Sequence, residues 1–67
     1  MSVVKVIEVL AESNKSWEDA AQQAVTEASQ TVNNIKSIYI KDMQAIVEND
    51  KINRYRLNTK ISFMVGE

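Results

Sequence analysis

Histidine and cysteine, the side chains most often recruited for acid–base, nucleophilic and transition-metal chemistry, are both absent from this 67-residue chain. Chemistry must therefore fall to carboxylates, arginines and rings. Calcium-type ligation wants oxygen donors, and Glu8, Asp19, Asp42, Glu48 and Asp50 are available to supply them. None of the five falls at EF-hand spacing. A divalent-cation site would have to be assembled by the fold or between subunits, and each acid taken singly reads as solvated or paired. Among the scattered basic residues only Arg54 and Arg56 lie close together. A guanidinium there can grip a phosphate or carboxylate bidentately, or lie against a ring; an ion pair with a carboxylate of a neighbouring subunit is the commoner role.

No serine, threonine or lysine stands in a recognisable nucleophile–base constellation, and one glycine leaves no loop able to cradle a phosphate. The expectation is a binding or structural protein rather than an enzyme. A net charge of −1 lacks the concentrated positive field of a nucleic-acid binder. No apolar run approaches the ~20 residues that span a bilayer, and the N-terminus lacks the basic stretch and long apolar block of a signal peptide. The reading is a cytoplasmic protein with neither nucleic acid nor membrane as partner.

Those side chains must be positioned by a single domain over residues 1–67, for a chain this short has no room for a second core. At this size the free energy of apolar burial and the cost of ordering the chain nearly cancel. Small domains usually add a disulfide, a metal or partner subunits. Without cysteine or histidine, oligomerisation is the route left open.

Residues 3–11, "VVKVIEVLA", are β-branched and apolar on both parities, with Val3, Ile7 and Val9 on one face and Val4, Val6 and Leu10 on the other. The polar "ESNKS" reads as a turn. Ser16 then makes an N-cap, with Asp19 completing a capping box and Glu18 near the positive end of the dipole. Trp17, Ala20, Ala21, Ala24, Val25, Ala28 and Val32 form one stripe, which predicts a helix over residues 17–32. Asn33-Asn34 supplies the stop. Two long β-type segments follow, 35–47 and 52–65, around a four-residue loop at 48–51. On the last segment Tyr55, Leu57, Thr59, Ile61, Phe63 and Val65 alternate with Arg54, Arg56, Asn58, Lys60 and Ser62. On the middle one, Ile38, Ile40 and Ile46 share a parity opposite Ile35, Tyr39, Met43 and Val47.

The order is β-α-β-β, an α+β fold. Placing the last strand between the other two gives a three-stranded antiparallel sheet with the helix across one face. One helix cannot cover both faces, and the surplus apolar surface predicts a subunit interface.

Three stretches taken in this order, Lys5-Val6-Ile7-Glu8, Ser16-Trp17-Glu18-Asp19-Ala20-Ala21 and Asn34-Ile35-Lys36, together with the closing hairpin, resemble the dodecins over nearly the whole chain. The resemblance implies a hollow homododecamer that binds or stores a small ligand, in many members the flavins FMN or riboflavin. It also implies that Trp17 is a packing residue, because the tryptophan that stacks on flavin follows the Asn-Ile-(Lys/Arg) motif. Here that position is Ser37. A glutamine that contacts the flavin's polar edge would fall at Arg56, and Tyr39 is the nearby aromatic left to substitute. Serine offers almost no stacking area, so the resemblance implies a variant shell with flavin binding weakened or lost. The alternative is a structural or calcium-type cation-holding shell, since some members lacking that tryptophan look like cation binders.

Overall fold

The computed structural model describes residues 3–66. Met1, Ser2 and Glu67, which complete the expected domain, lie outside the described residues. Strand β1 runs Val3–Ser13, helix α1 Trp17–Ala28, strand β2 Ile35–Glu48 and strand β3 Lys51–Val65. The sheet is antiparallel throughout, in the order β1-β3-β2. The α+β architecture with β3 at the centre is as the pattern of apolar residues implied.

Helix α1 begins where the sequence places it. Ser16 is the N-cap, and its hydroxyl accepts the Asp19 amide at 2.9 Å. The box is only half closed, because the Asp19 carboxylate turns instead to the Ser13 hydroxyl and the Gln23 amide, each at 2.6 Å. Ala20, Ala24 and Ala28 are buried at four-residue intervals, one above another on the face that meets the sheet. Lacking long side chains, they let the helix lie close over Ile61, with Ile7, Val9, Ala11, Ile35 and Ile38 packed around.

The helix is shorter than the expected 17–32 and stops at Ala28. Beyond it the Gln30 and Thr31 amides bond to carbonyls three residues back, and the Ser29 and Thr31 hydroxyls donate to the carbonyls of Thr26 and Ala28. Such side-chain bonds compete with helix propagation. Val32 still packs on the core, and Asn34 takes the left-handed conformation at φ 61°.

The buried side of β3 is Leu57, Thr59, Ile61 and Phe63, the parity read from its alternation. Thr59 is fully buried, and its hydroxyl donates to the Val9 carbonyl at 2.8 Å. A polar atom in the core is thus satisfied by the neighbouring strand. Trp17 packs edge-on against Tyr55 with ring centroids 4.9 Å apart.

Strand β2 departs from the parity expected for it. Lys36 and Lys41 have no partner across on β3, and Asn53 has none on β2. Each unmatched residue is a bulge that switches the side to which the following residues point. Ile35, Ile38 and Ile40 therefore all lie opposite buried β3 residues, namely Phe63, Ile61 and Thr59. Met43 faces the same side, opposite Leu57, and Ile46 is moved to the other, opposite Arg54. The connection at 48–51 is also tighter than a four-residue loop. Glu48 pairs with Lys51, and Asn49 and Asp50 both have positive φ, at 53° and 63°. That is a two-residue turn of the primed class, whose twist matches the strands.

The sheet outruns its cover. The molecule measures 52 × 19 × 14 Å with a radius of gyration of 13.7 Å, against about 11 Å for a compact chain of this length. Met43, Val47 and Ile52, on the far half of the hairpin, are all more than half exposed. Among the described residues no helix is long and apolar enough to cross a membrane.

Candidate functional site

The face of the sheet turned away from α1 is where the residues singled out for ligand contact come to lie. Val4, Val6, Glu8, Leu10 and Glu12 of β1 stand opposite Met64, Ser62, Lys60, Asn58 and Arg56 of β3. On the other flank, Ser37, Tyr39, Asp42, Gln44 and Ile46 of β2 stand opposite Ser62, Lys60, Asn58, Arg56 and Arg54. The uncovered face is thus a polar ridge along the central strand with exposed apolar side chains beside it. It is less uniformly apolar than a face expected to be buried between subunits.

Ser37 is exposed and its hydroxyl is hydrogen-bonded to that of Ser62. Two small hydroxyl side chains therefore occupy the place where the family resemblance puts a stacking indole. Tyr39 lies two residues on, 65% exposed and opposite Lys60. Arg56 belongs to a different part of the face. It is paired on β3 with neither of these, and Ser62 is six positions further along the strand, roughly 20 Å at ~3.3 Å per residue. One chain does not bring Ser37 and Arg56 into a single pocket. A planar ring system stacked by one chain alone does not fit this arrangement.

Arg56 is already engaged, and within its own chain. Its Nε and Nη2 each lie 2.6 Å from Glu12 Oε2, and its Nη1 donates to Gln44 Oε1 at 3.5 Å. Arg54 Nη1 donates to the other oxygen of Glu12 at 3.1 Å. The expected ion pair between subunits is instead an intrachain one, because Glu12 stands directly opposite Arg56 in the β1–β3 register. Reading β1 as ending at Ala11 hid that partner; the strand continues to Ser13, and an alternation carried two residues further would have exposed it. Hydrogen bonding and charge from Arg56, and then Arg54, hold the Glu12 carboxyl below its ordinary range against the opposing effect of burial. Beside the pair lies an open hollow of about 400 Å³ lined by Leu10, Asp42, Met43, Gln44, Arg56 and Asn58. Of these only Arg56 and Asp42 were candidates on sequence grounds.

The five carboxylates considered for cation ligation are dispersed. Glu8 is 3.9 Å from Lys41, and Asp19 closes the helix start. Asp42 stands opposite Asn58, Glu48 accepts from Asn53, and Asp50 is in the hairpin turn. Among the described residues no three acids come together in a way that could hold a metal ion. The Asp19 carboxyl is held below its usual range first by the Ser13 hydroxyl and then by Gln23.

Comparison with known proteins converges on one family. The family model described as Dodecin matches residues 3–66. The chain is 35% identical over 63 residues to the calcium dodecin of Mycobacterium tuberculosis, covering 94% of this chain and 89% of that one. The crystal structure of that protein, described as a calcium-chelating antigen with a novel calcium-binding site, is similar at a TM-score of 0.80 and 33% identity, covering 91% and 87% of the two chains. A point mutant of the Thermus thermophilus dodecin superposes with a TM-score of 0.92 at 21% identity over 100% of both chains. The Streptomyces davaonensis dodecin reaches 0.90 at 18% identity over 98% of this chain and 97% of its own. The β-α-β-β order with its three-stranded antiparallel sheet agrees with these matches, and the chain belongs to the dodecin family.

Proposed function

We propose that this chain assembles with copies of itself, as a homododecameric shell, and that the shell binds or stores a small ligand at sites formed where subunits meet. It carries no reaction of its own. The observation that supports this most is the placement of Ser37 and Arg56 on one uncovered sheet face, roughly 20 Å apart by strand spacing, with exposed Val4, Val6 and Leu10 beside them. A face of that composition buries apolar surface only against another molecule. Residues too far apart to share a pocket in one chain meet only through symmetry.

Flavin is the family's characteristic cargo, and here its affinity is reduced. Each lost aromatic stacking partner forgoes roughly 0.5–1.5 kcal/mol beyond area burial, and Ser37 with Ser62 supplies no ring. A second reading, a calcium-type cation held by the shell, is favoured by the 35% identity to a protein named calcium dodecin. It requires acids such as Glu8, Asp42 or Glu48 to converge from different subunits.

Native mass spectrometry of freshly purified protein, before and after addition of riboflavin, FMN, calcium and a chelator, separates these readings. A multi-subunit species that gains flavin mass supports the first. One that takes up calcium and loosens with chelator supports the second. A stable monomer overturns both.

A further inference from the structure

We propose that Arg54 and Arg56 form a binding site for the anionic oxygen group of a small ligand, a carboxylate or phosphate, and that Glu12 occupies this site as an internal competitor in the ligand-free chain. The inference deepens the reading of a ligand-holding shell and rests on it.

Three observations lead to it. The first is a shared carboxylate. Arg54 and Arg56 lie two residues apart on one face of β3 and share a single carboxylate, Glu12. One carboxylate is bonded to the two guanidiniums, and the flanking Gln44 is neutral. The second carboxylate near them, Asp42, lines the hollow without an ion pair to either arginine, so an incoming anion must approach from the side away from it.

The second is an imbalance of hydrogen bonds. Each guanidinium offers about five N–H donors in a planar fork. Arg56 directs its Nε and Nη2 at one oxygen of Glu12, while its Nη1 makes only a long contact of 3.5 Å with Gln44. Arg54 uses Nη1 alone, and its Nε is buried with no acceptor. A buried donor without a partner costs free energy that an added acceptor recovers. Two carboxylate oxygens are too few for this fork; the additional oxygens of an incoming anion are suited to it.

The third is space. The hollow of about 400 Å³ beside Arg56 has Leu10, 72% exposed, as its apolar wall. Asn58 Oδ1 is buried and has no donor, and Asn58 lines the same hollow. The complementary ligand therefore has an anionic group for the arginines and an apolar body for Leu10. Because Glu12 sits across both guanidiniums, it must yield for an anion to make bidentate contact. Affinity is set by that exchange.

The test uses the assembled protein and three probes: inorganic phosphate alone, FMN, and riboflavin as its phosphate-free counterpart. Titration calorimetry with phosphate and flavin fluorescence with the other two give the dissociation constants. In the unaltered protein FMN is expected to bind at least about tenfold more tightly than riboflavin, a gap of about 1.4 kcal/mol. Glu12→Gln should widen that gap and tighten inorganic phosphate by a similar factor. Arg56→Gln should abolish the preference, and Arg56→Lys should restore part of it by keeping charge while losing the fork. Circular dichroism and native mass for each variant separate lost binding from lost folding. The proposal is overturned if neither phosphate nor FMN binds the unaltered protein and Glu12→Gln, if the two flavins bind equally, or if folded Arg56→Gln and Arg56→Lys keep the preference intact. Any of these results in a protein that remains oligomeric removes the anion site alone; a monomer removes the shell reading itself.

Discussion

At the residue scale, the proposed weakening of flavin binding turns on Ser37. Its hydroxyl bonds to Ser62 across the strand pair, so the site presents two compact polar groups where a ring would need a broad surface. Ser37→Trp should raise flavin affinity by about tenfold, as measured by fluorescence quenching, since a pair of indoles adds roughly 1–3 kcal/mol; an unchanged affinity would mean that this position lies outside the ligand's reach. At the helix start, Ser16 accepts the Asp19 amide, and Ser16→Ala should lower stability by about 1 kcal/mol in urea titration. Two acids held by named partners contribute to the response to pH. Glu12 and Asp19 are both held below their ordinary carboxyl range, by Arg56 and by Ser13 respectively. Their contribution is complete above the free-chain values near ~4 and is lost as pH falls through the lower values of the fold. Thermal unfolding should therefore be flat from neutral pH to about 5 and weaken below ~4, with a shallower acid slope in Glu12→Gln and Asp19→Asn. An identical slope in both variants would show that these pairs do not report on folding.

At the scale of elements, the alternation of β3 carries most of the information. Leu57, Thr59, Ile61 and Phe63 are buried as that alternation requires, and Ala24 and Ala28 of α1 pack in one cluster with Ile61. Ile61, fully buried beneath the helix, should cost about 2–5 kcal/mol on change to alanine, enough to unfold a domain this small. Strand β2 was less legible. A bulge leaves no mark on residue type, and Lys36 and Lys41 look like ordinary edge-strand lysines, yet each switches the side on which the next isoleucine falls. The end of β1 was missed for a related reason. Glu12 and Ser13 are polar and read as turn, but pairing with Arg56 and Tyr55 extends the strand through them. The hairpin tip shows the same tension between type and conformation. Asn49 and Asp50 tolerate positive φ, but neither adopts it as readily as glycine. Asp50→Gly should stabilise the turn by roughly 0.5–1 kcal/mol, seen as a higher urea midpoint.

For the whole molecule, the decisive feature is a sheet that outruns its one helix along the strands and leaves its other face bare. A radius of gyration of 13.7 Å is that of a ribbon rather than a ball, and the exposed Val4, Val6 and Leu10 lie on the uncovered side. The expectation of partner subunits rests on size and on the lack of cysteine and histidine. The mixed character of the uncovered face was not legible in the sequence, because it depends on which strand lies between which. Native mass spectrometry of the purified protein at neutral pH tests the central claim, that copies of this chain complete one another's fold and ligand site. The account predicts one dominant species near twelve times the 7.6 kDa chain mass. A stable, folded monomer with its sheet face open to water would contradict it.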